Sequence, residues 1–491
     1  MKSLGVVSLG HDASVALIDD SEILFAGHAE RYSRTKNDGN INSPLLEDMF
    51  QYGTPDQIIW YEKPFLKKTR FAYAGQWDGL KGDSPKDHLR SWAALEQIPI
   101  KYVGHHESHA AGGYYTSPFN DASILVCDAI GEWDCISIWQ AEGPHMKKVW
   151  SQRYPHSLGL LYSAMTQRCG LKPNEEEYIL MGMAALGNRD RFFDEIIFEF
   201  FESDNPPDFK LRHNVHRGIR WWKPELQSQQ DFYDIAASMQ RVVELYMKLT
   251  ARWIRKNLPS KNLVLSGGVA LNCVANSVIA EEGLFENIWI MPNPGDAGSS
   301  IGAVAAYMNE KLNWHGPYLG TDIKRPFDMD GAVQALIDGQ VIGVANGRAE
   351  YGPRALGNRS LIADPRGADV KDKVNMIKKR EMFRPFAPVV LEHLADQYFE
   401  MPQKSTPYMQ FTAKCKRPDL LPAICHFDNT SRVQTLTYDQ NPQFYKLIET
   451  FYEKTGCPIV LNTSLNIKGQ PLVNTWQDAL MFQNHYGVNV F

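Results

Sequence analysis

The 491-residue chain has little cysteine, no excess of positive charge and no long apolar run. Its seven cysteines, Cys127, Cys135, Cys169, Cys273, Cys415, Cys425 and Cys457, are scattered, and none forms a C-x-x-C pair. A zinc ribbon and a dithiol redox motif are thereby excluded, and an odd, dispersed set suits a reducing compartment better than a disulfide framework. The formal net charge of -6 is not that of a generally basic nucleic-acid binder, although a local basic groove would not register in that sum. No stretch approaches the ~20 apolar residues of a membrane helix. The opening apolar run, residues 4–9, stops at Gly10-His11-Asp12, too short for a signal core, so a cytoplasmic location is expected. The rest is ordinary globular composition, 44% hydrophobic and 22% charged, at a length that accommodates several domains.

Turn residues and alternating apolar runs set out the organisation. Residues 4–9, 14–18 and 22–27 read as three strands separated by GHDA and Asp19-Asp20. The pattern recurs at residues 122–150, where SILVCD, CISIWQA and a third apolar run are separated by polar turns. This is a repeat of topology rather than of residues, and it predicts two similar sheets. Strands at 262–265 and 287–291 each run into a glycine-rich loop and then a helix. Residues 233–256 place Ile235, Met239, Val242, Tyr246, Leu249 and Trp253 at helical spacing, a stripe expected to be core. Residues 313–326, with Gly316-Pro317, Gly320 and Pro326, read as a linker. Beyond it come a short helix near 333–337, a strand at 341–345, Arg- and Pro-rich motifs, a helix at 444–455 and a strand at 458–461.

Several constellations carry chemistry. In HHESH, His105 and His109 stand four apart and share one face of a helix, the spacing at which two imidazoles bind one metal ion. A bare H-x-x-x-H is also a common polar helix start. Asp128, at the end of a strand, and Asp296, in PGDAG, add two carboxylates. Two histidines and two carboxylates without a thiolate suit a divalent metal such as iron(II), manganese or zinc. His11 sits in the first hairpin turn, where an imidazole can act as a general base. SGGVALN (266–272) joins a strand to a helix, a junction compatible with nucleotide binding though weak without a P-loop or G-x-G-x-x-G beside it. The last third of the chain is rich in candidate anion ligands: Arg348, Arg354, Arg359, Lys378, Lys379, Arg380, Arg384 and Arg432. LNTSLN (461–466) ends a strand with four hydrogen-bonding side chains, a pattern common at ligand sites.

Taken together, these segments resemble the NodU/CmcH-type O-carbamoyltransferase family. The resemblance runs in order from GHDAS and AERYSRTK through HHESHAAGGYYTSPF, EEYILMGMAALG, SGGVALN, PGDAGSSIGA, EYGPRALGNRSLIADPR, REMFRPFAP and RVQT to TGCPIVLNTSLNIKGQPLV. It implies an α/β protein: a duplicated actin-like (ASKHA) carbamoyl-transfer domain over residues 1–320, followed by a YrdC-like α/β domain over 321–491 that forms carbamoyl adenylate. It also implies an ATP-dependent O-carbamoyltransferase that uses Mg-ATP and carbamoyl phosphate. Iron(II) would be held by His105, His109, Asp128 and Asp296, with His11 as the base. The nucleotide would meet Gly267, Gly268 and Asn272. Carbamoyl phosphate or the adenylate would meet Arg354, Lys378, Arg380, Arg384, Asn462 and Ser464. A homodimer is compatible with the resemblance. Leu465 stands where the family motif has an aromatic, and the chain stops at Phe491, short of the usual tail.

The acceptor hydroxyl is the least specified part. A small-molecule alcohol or sugar is the default. The alternative is a hydroxymethylated pyrimidine, 5-hydroxymethylcytosine, in DNA. Two basic, aromatic stretches motivate it: residues 62–77, with Lys67, Arg70 and Phe71, and residues 213–223, where Arg217, Arg220 and Lys223 surround Trp221 and Trp222. A rival of another class is an actin-fold kinase or ATPase, which would use SGGVALN but would not require HHESH or LNTS.

Overall fold

The computed structural model describes residues 1–82 and 84–491, and the chain divides into two compact units. The first comprises Met1–Ala26, Gly39–Ile41 and Met49–Trp314; the second comprises Gly27–Asp38, Asn42–Asp48 and His315–Phe491.

The first unit is built on two five-stranded sheets of one strand order. In the first sheet Lys2–Val7 pairs antiparallel with Ser14–Asp19 and parallel with Gln57–Trp60, which pairs parallel with Ile100–Tyr102. Glu22–His28 completes that sheet beyond Ser14–Asp19. In the second, Asp121–Cys127 pairs antiparallel with Asp134–Glu142 and parallel with Asn262–Ser266, which pairs parallel with Asn287–Trp289. His145–Arg153 completes it. The topological repeat expected from the turn spacing is therefore present. The central strands Lys2–Val7 and Asp121–Cys127 are buried almost throughout, as strands covered on both faces are.

Two helices pack against these sheets at close range. His105–Tyr115 lies against Ser299–Met308, and a Cβ added at Gly302 would stand 2.0 Å from the Ser108 carbonyl oxygen. No side chain fits there, which is why SSIGA carries glycine at that contact. The long helix Gln229–Asn257 starts at a capping box, with Ser228 and Asp231 each accepting the other's backbone N–H. Of its expected core stripe, Ile235, Met239, Val242 and Tyr246 are buried, while Leu249 and Trp253 are half-buried.

In the second unit the strands Ile342–Ala345, Arg359–Ala363, Ile459–Ser464, Ala387–Leu391 and Gln434–Leu436 lie side by side. All neighbours are antiparallel except the last pair. Helices Met329–Ile337 and Pro442–Thr455 bring Leu336, Leu447, Ile448 and Phe451 into its core. Truncating Leu447 to Ala there would cost about 2–5 kcal/mol. The stretch read as a linker holds a strand, Tyr318–Ile323, which pairs antiparallel with Gly347–Glu350; Gly316-Pro317 and Pro326 bound that strand rather than make the segment irregular.

The AERYSRTK motif belongs to this second unit. Buried Arg31 donates to the Gly352 carbonyl at 2.6 Å, Arg34 donates to the Pro471 carbonyl at 3.1 Å, and the Tyr32 hydroxyl donates to Asp48 at 2.6 Å. The second unit thus draws on the first 48 residues as well as on the last third of the chain, an arrangement that no single boundary expresses.

Candidate functional site

His105, His109, Asp128 and Asp296 come together in the first unit, with one ligand atom from each lying within 4.8 Å of all the others. His105 and His109 open the helix His105–Tyr115, Asp128 follows the strand Asp121–Cys127, and Asp296 begins the turn before Ser299–Met308. His105 Nε2 lies 3.1 Å from His109 Nε2, 3.3 Å from Asp128 Oδ2 and 3.4 Å from Asp296 Oδ1. His109 Nε2 lies 3.3 Å from Asp296 Oδ1 and 3.8 Å from Asp128 Oδ2. Donors each about 2.0–2.2 Å from a common divalent ion are about 3.0–3.5 Å from one another. Four of the five separations fall in that range and the fifth is 3.8 Å, a spacing close to that of donors around one ion, and the oxygen and nitrogen set suits iron(II), manganese or zinc.

The surroundings orient these donors. His109 Nδ1 faces the Ser299 hydroxyl at 3.4 Å, and the Glu62 carboxylate lies 3.9 Å from His105 Nδ1. Asp128 accepts from the Gly268 backbone N–H at 3.1 Å. Such outer contacts fix the tautomer and aim of each ligand. Ser299 lies in PGDAGSSIGA and Glu62 opens the stretch 62–77, but no local pattern marks either for this duty. His106 is not part of the cluster: its Nδ1 meets the Ser137 hydroxyl at 2.8 Å, and burial, with the adjacent His105 and His109, pushes its imidazole down to about 3.

Burial raises the carboxyl of Asp296, but the His105 charge and the hydrogen bonds with His105 and His109 overcome it and hold the group well below the usual range. His105 is correspondingly held well above its ordinary value, against the opposing effect of burial. The cluster thus concentrates negative charge in a buried place, the condition under which a cation is retained.

His11 stands beside it, with Nε2 3.6 Å from Asp296 Oδ2 and Nδ1 2.9 Å from Asp12. Burial lowers its imidazole, but Asp12, Asp296 and Asp128 outweigh that and push it up to about 10. His11, His105, Asp128 and Asp296 all line one cavity of about 900 Å³, together with Glu62, Lys67, Arg70 and Arg217. Gly267, Gly268 and Asn272 do not line it. Asn272 caps the helix Cys273–Glu281 and exchanges two amide hydrogen bonds with Gln240, at 2.9 and 3.1 Å, so its side chain serves the fold.

In the second unit Lys378, Arg380 and Arg384 lie near one another, and Asn462 and Ser464 share one face of the strand Ile459–Ser464. Lys378 is buried and donates to the Ser464 hydroxyl at 3.2 Å and to the Asn466 carbonyl and side-chain oxygens at 2.9 Å. Burial, then the charges of Arg380 and Arg384, push its ammonium well below the usual lysine value. Asn462 donates to the Ala355 carbonyl at 3.0 Å and to Gln434 at 2.9 Å, while its Oδ1 is buried without a partner. Arg354 is half-buried in the loop next to Ala355. Arg380 donates to Asn375 at 2.6 Å and lies over the Phe386 ring at 4.2 Å.

Several candidates have other duties. Arg359 is fully buried and donates to the carbonyls of Asn474, Asn346, Gly347, Asn358 and Thr321, so it knits the backbone rather than binding an anion. Arg348 donates to the Leu319 and Gly320 carbonyls. Trp222 is buried against Phe192 and Phe200, which removes it as a platform for a base. Lys223 is paired with Glu195. Arg220 and Trp221 are exposed and do not line the cavity; Arg217 does. Of the five residues expected at the acceptor from this stretch, one reaches it.

Comparison with known proteins agrees with this geometry. The family description "Carbamoyltransferase N-terminus" matches residues 72–305, and "Carbamoyltransferase C-terminus" matches residues 333–491. Nodulation protein NolO of Bradyrhizobium diazoefficiens is 33% identical over 77% of this chain and 75% of its own length. Nodulation protein NolNO of Sinorhizobium fredii is 31% identical over 96% of this chain and 76% of its own. The 3'-hydroxymethylcephem-O-carbamoyltransferase of Amycolatopsis lactamdurans is 28% identical over 98% and 96%. With both halves matched in order, and with a relative 33% identical over three quarters of its length, the chain belongs to the carbamoyltransferase family.

Proposed function

We propose that this carbamoyltransferase is an ATP-dependent O-carbamoyltransferase in which the second unit activates the carbamoyl group as an adenylate and the first transfers it to a hydroxyl. The observation that carries this reading is the cluster of His105, His109, Asp128 and Asp296 beside His11, with His105, Asp128 and Asp296 lining the same cavity as His11. The two sheets of identical strand order support an actin-like reading of the first unit, and the mixed sheet of the second is read as YrdC-like. The default acceptor is a small-molecule alcohol or sugar, in keeping with the hydroxymethyl group in the cephem relative's name.

Carbamoyl phosphate and Mg-ATP are the co-substrates. In the second unit Lys378, Arg380, Arg384 and Arg354 supply the positive charge that phosphate oxygens require. The unpartnered Oδ1 of Asn462 is an acceptor suited to the carbamoyl N–H, and Ser464 lies on the same face. One water cleaves carbamoyl phosphate to phosphate and carbamate, and the carbamate oxygen then attacks the α-phosphorus of ATP and displaces pyrophosphate, giving a mixed anhydride with a good leaving group. In the first unit His105, His109, Asp128 and Asp296 would hold a divalent ion, iron(II) by resemblance, which supplies Lewis acidity toward the carbamoyl oxygen. With a cation held there to offset the Asp296 and Asp128 charge that raises its imidazole, His11 would accept the acceptor's hydroxyl proton, and AMP leaves as the carbamate ester forms. The backbone at Gly267 and Gly268 is proposed to meet the nucleotide.

Two assays test this. Carbamoyl-phosphate-dependent exchange of pyrophosphate into ATP reads activation, and release of a carbamoylated product reads transfer. Exchange is expected to persist in His109→Ala and after chelation, while transfer is lost. Unimpaired transfer in His109→Ala would remove the metal from the mechanism. An actin-fold kinase or ATPase would show no exchange that depends on carbamoyl phosphate.

A further inference from the structure

The wall of the same cavity away from the four ligands holds polar groups that the fold leaves without partners. Arg70 is only 5% exposed, lines the cavity, and its Nε has no hydrogen-bond partner. Glu62, whose charge acts on it, is instead paired with Lys67 at 2.7 Å. Gln76, Gln167 and His216 also line this cavity, and Gln76 Oε1, Gln167 Oε1 and His216 Nδ1 are buried without a partner. Arg217 is exposed at its edge, and Arg70 and Arg217 both stand close enough to His216 for their charges to act on it. Gly218, at φ +85°, makes room for Gln167, because a Cβ there would stand 1.8 Å from Oε1. Trp77, 64% exposed, adds an aromatic face.

A buried guanidinium without an anion is costly, and so is each orphaned amide oxygen. Four cavity-lining residues that each hold such an atom describe the complement of a ligand toward which their side chains turn: an anion for the guanidinium and hydrogen-bond donors for the two amide oxygens. Guanidinium forks match phosphate oxygens. We infer that this wall is the acceptor subsite and that the acceptor is a phosphate ester, with its phosphate on Arg70 and Arg217, its ring against Trp77, and hydroxyl or amino donors on Gln76 and Gln167. Its free hydroxyl is then directed toward His11. That last step rests on the carbamoyl-transfer reading; the phosphate site itself does not. A phosphomonoester and the phosphodiester of a nucleic-acid strand present the same chemistry.

Calorimetric titration of the purified full-length chain tests the site without ATP or carbamoyl phosphate, so its outcome is independent of the exchange assay. The probes are glucose 6-phosphate and thymidine 5'-monophosphate against glucose and thymidine, and a ten-nucleotide single-stranded DNA. A charge-assisted hydrogen bond predicts that each phosphorylated probe binds about 10- to 100-fold more tightly than its neutral counterpart. Arg70→Gln is expected to abolish that difference. Arg217→Gln, at an exposed position that poses no folding problem, is expected to narrow it severalfold. Tightest binding of the monophosphates identifies a phosphomonoester. Tightest binding of the oligonucleotide, falling steeply with salt, identifies a phosphodiester. Equal binding of phosphorylated and neutral probes by the wild-type chain, or an unchanged difference in both variants, overturns the inference.

Discussion

The two candidate centres have opposite electrostatic demands. In the first unit, two carboxylates and two imidazoles crowd a buried point with no lysine or arginine among them. In the second, Lys378 is buried beside Arg380 and Arg384, its ammonium tied to Ser464 and Asn466 rather than to a carboxylate. One arrangement is completed by a cation and the other by an anion. A buried excess of one sign is expensive, so each marks a place built for something other than the fold. Under the proposed function the contrast also separates the chemistry: activation of carbamoyl phosphate would fall where lysine and arginine gather, and polarisation of the carbamoyl carbonyl where the four ligands would hold a metal ion.

Four experiments break or sharpen that contrast. The largest effect is expected from His11→Asn, which should lower carbamoyl transfer roughly 10²–10⁴-fold while metal content and exchange stay at wild-type levels. Next is a crossed pair. Asp296→Asn should lower transfer by about 10²–10³-fold and leave exchange intact. Lys378→Met should abolish exchange and, because transfer consumes the adenylate, product release with it, while metal content, read by atomic emission, is lost only in Asp296→Asn. If Asp296→Asn also loses exchange, or Lys378→Met keeps it, the division of labour between the units is wrong. A smaller effect is expected at the periphery of the cluster. Glu62→Gln should weaken metal affinity by about 10- to 100-fold, measurable by competition with a chelating dye, because Glu62 faces His105 from outside the ligand set.

The smallest effect concerns stability rather than chemistry. Burial, and then the Arg31 charge, push the His28 imidazole down to about 3. Between that value and the unfolded value near 6.5 the unfolded chain binds a proton that the folded chain does not, so stability falls as pH falls. The slope contributed is at most about 1.4 kcal/mol per pH unit. Denaturant titrations at pH 6.5 and 5 should show that decline in the wild-type chain and a shallower one in His28→Gln.

Much of the site was legible in the sequence because it is written in local patterns. The H-x-x-x-H spacing puts two imidazoles on one helix face, and a strand followed directly by Asp128 delivers a carboxylate at the end of a central strand. The hairpin turns at residues 10–13 and 128–133 announced two sheets of one topology. Alternation, helical period and turn chemistry extend over a few residues, so a sequence carries them without reference to the rest of the chain. The duties of Arg359 and Trp222 were not legible, since an arginine in GPRALGNRS and a tryptophan among basic residues read the same whether buried or exposed. Burial is a property of what packs on top.

By itself, then, the sequence picked out the four residues that cluster in the first unit, the duplicated strand pattern and the cationic and LNTS motifs of the second unit. Only the tertiary structure decided that His109 and Asp296, 187 positions apart, lie 3.3 Å from one another. It also decided that residues 27–38 and 42–48 join the second unit, and that Arg70 and Gln167 leave unpartnered atoms on the cavity that His11 lines. The physical reason is range. Backbone preferences and side-chain periods act between neighbours, whereas which donors converge, and which polar atoms are left without a partner, is set by the close packing of elements distant in the chain.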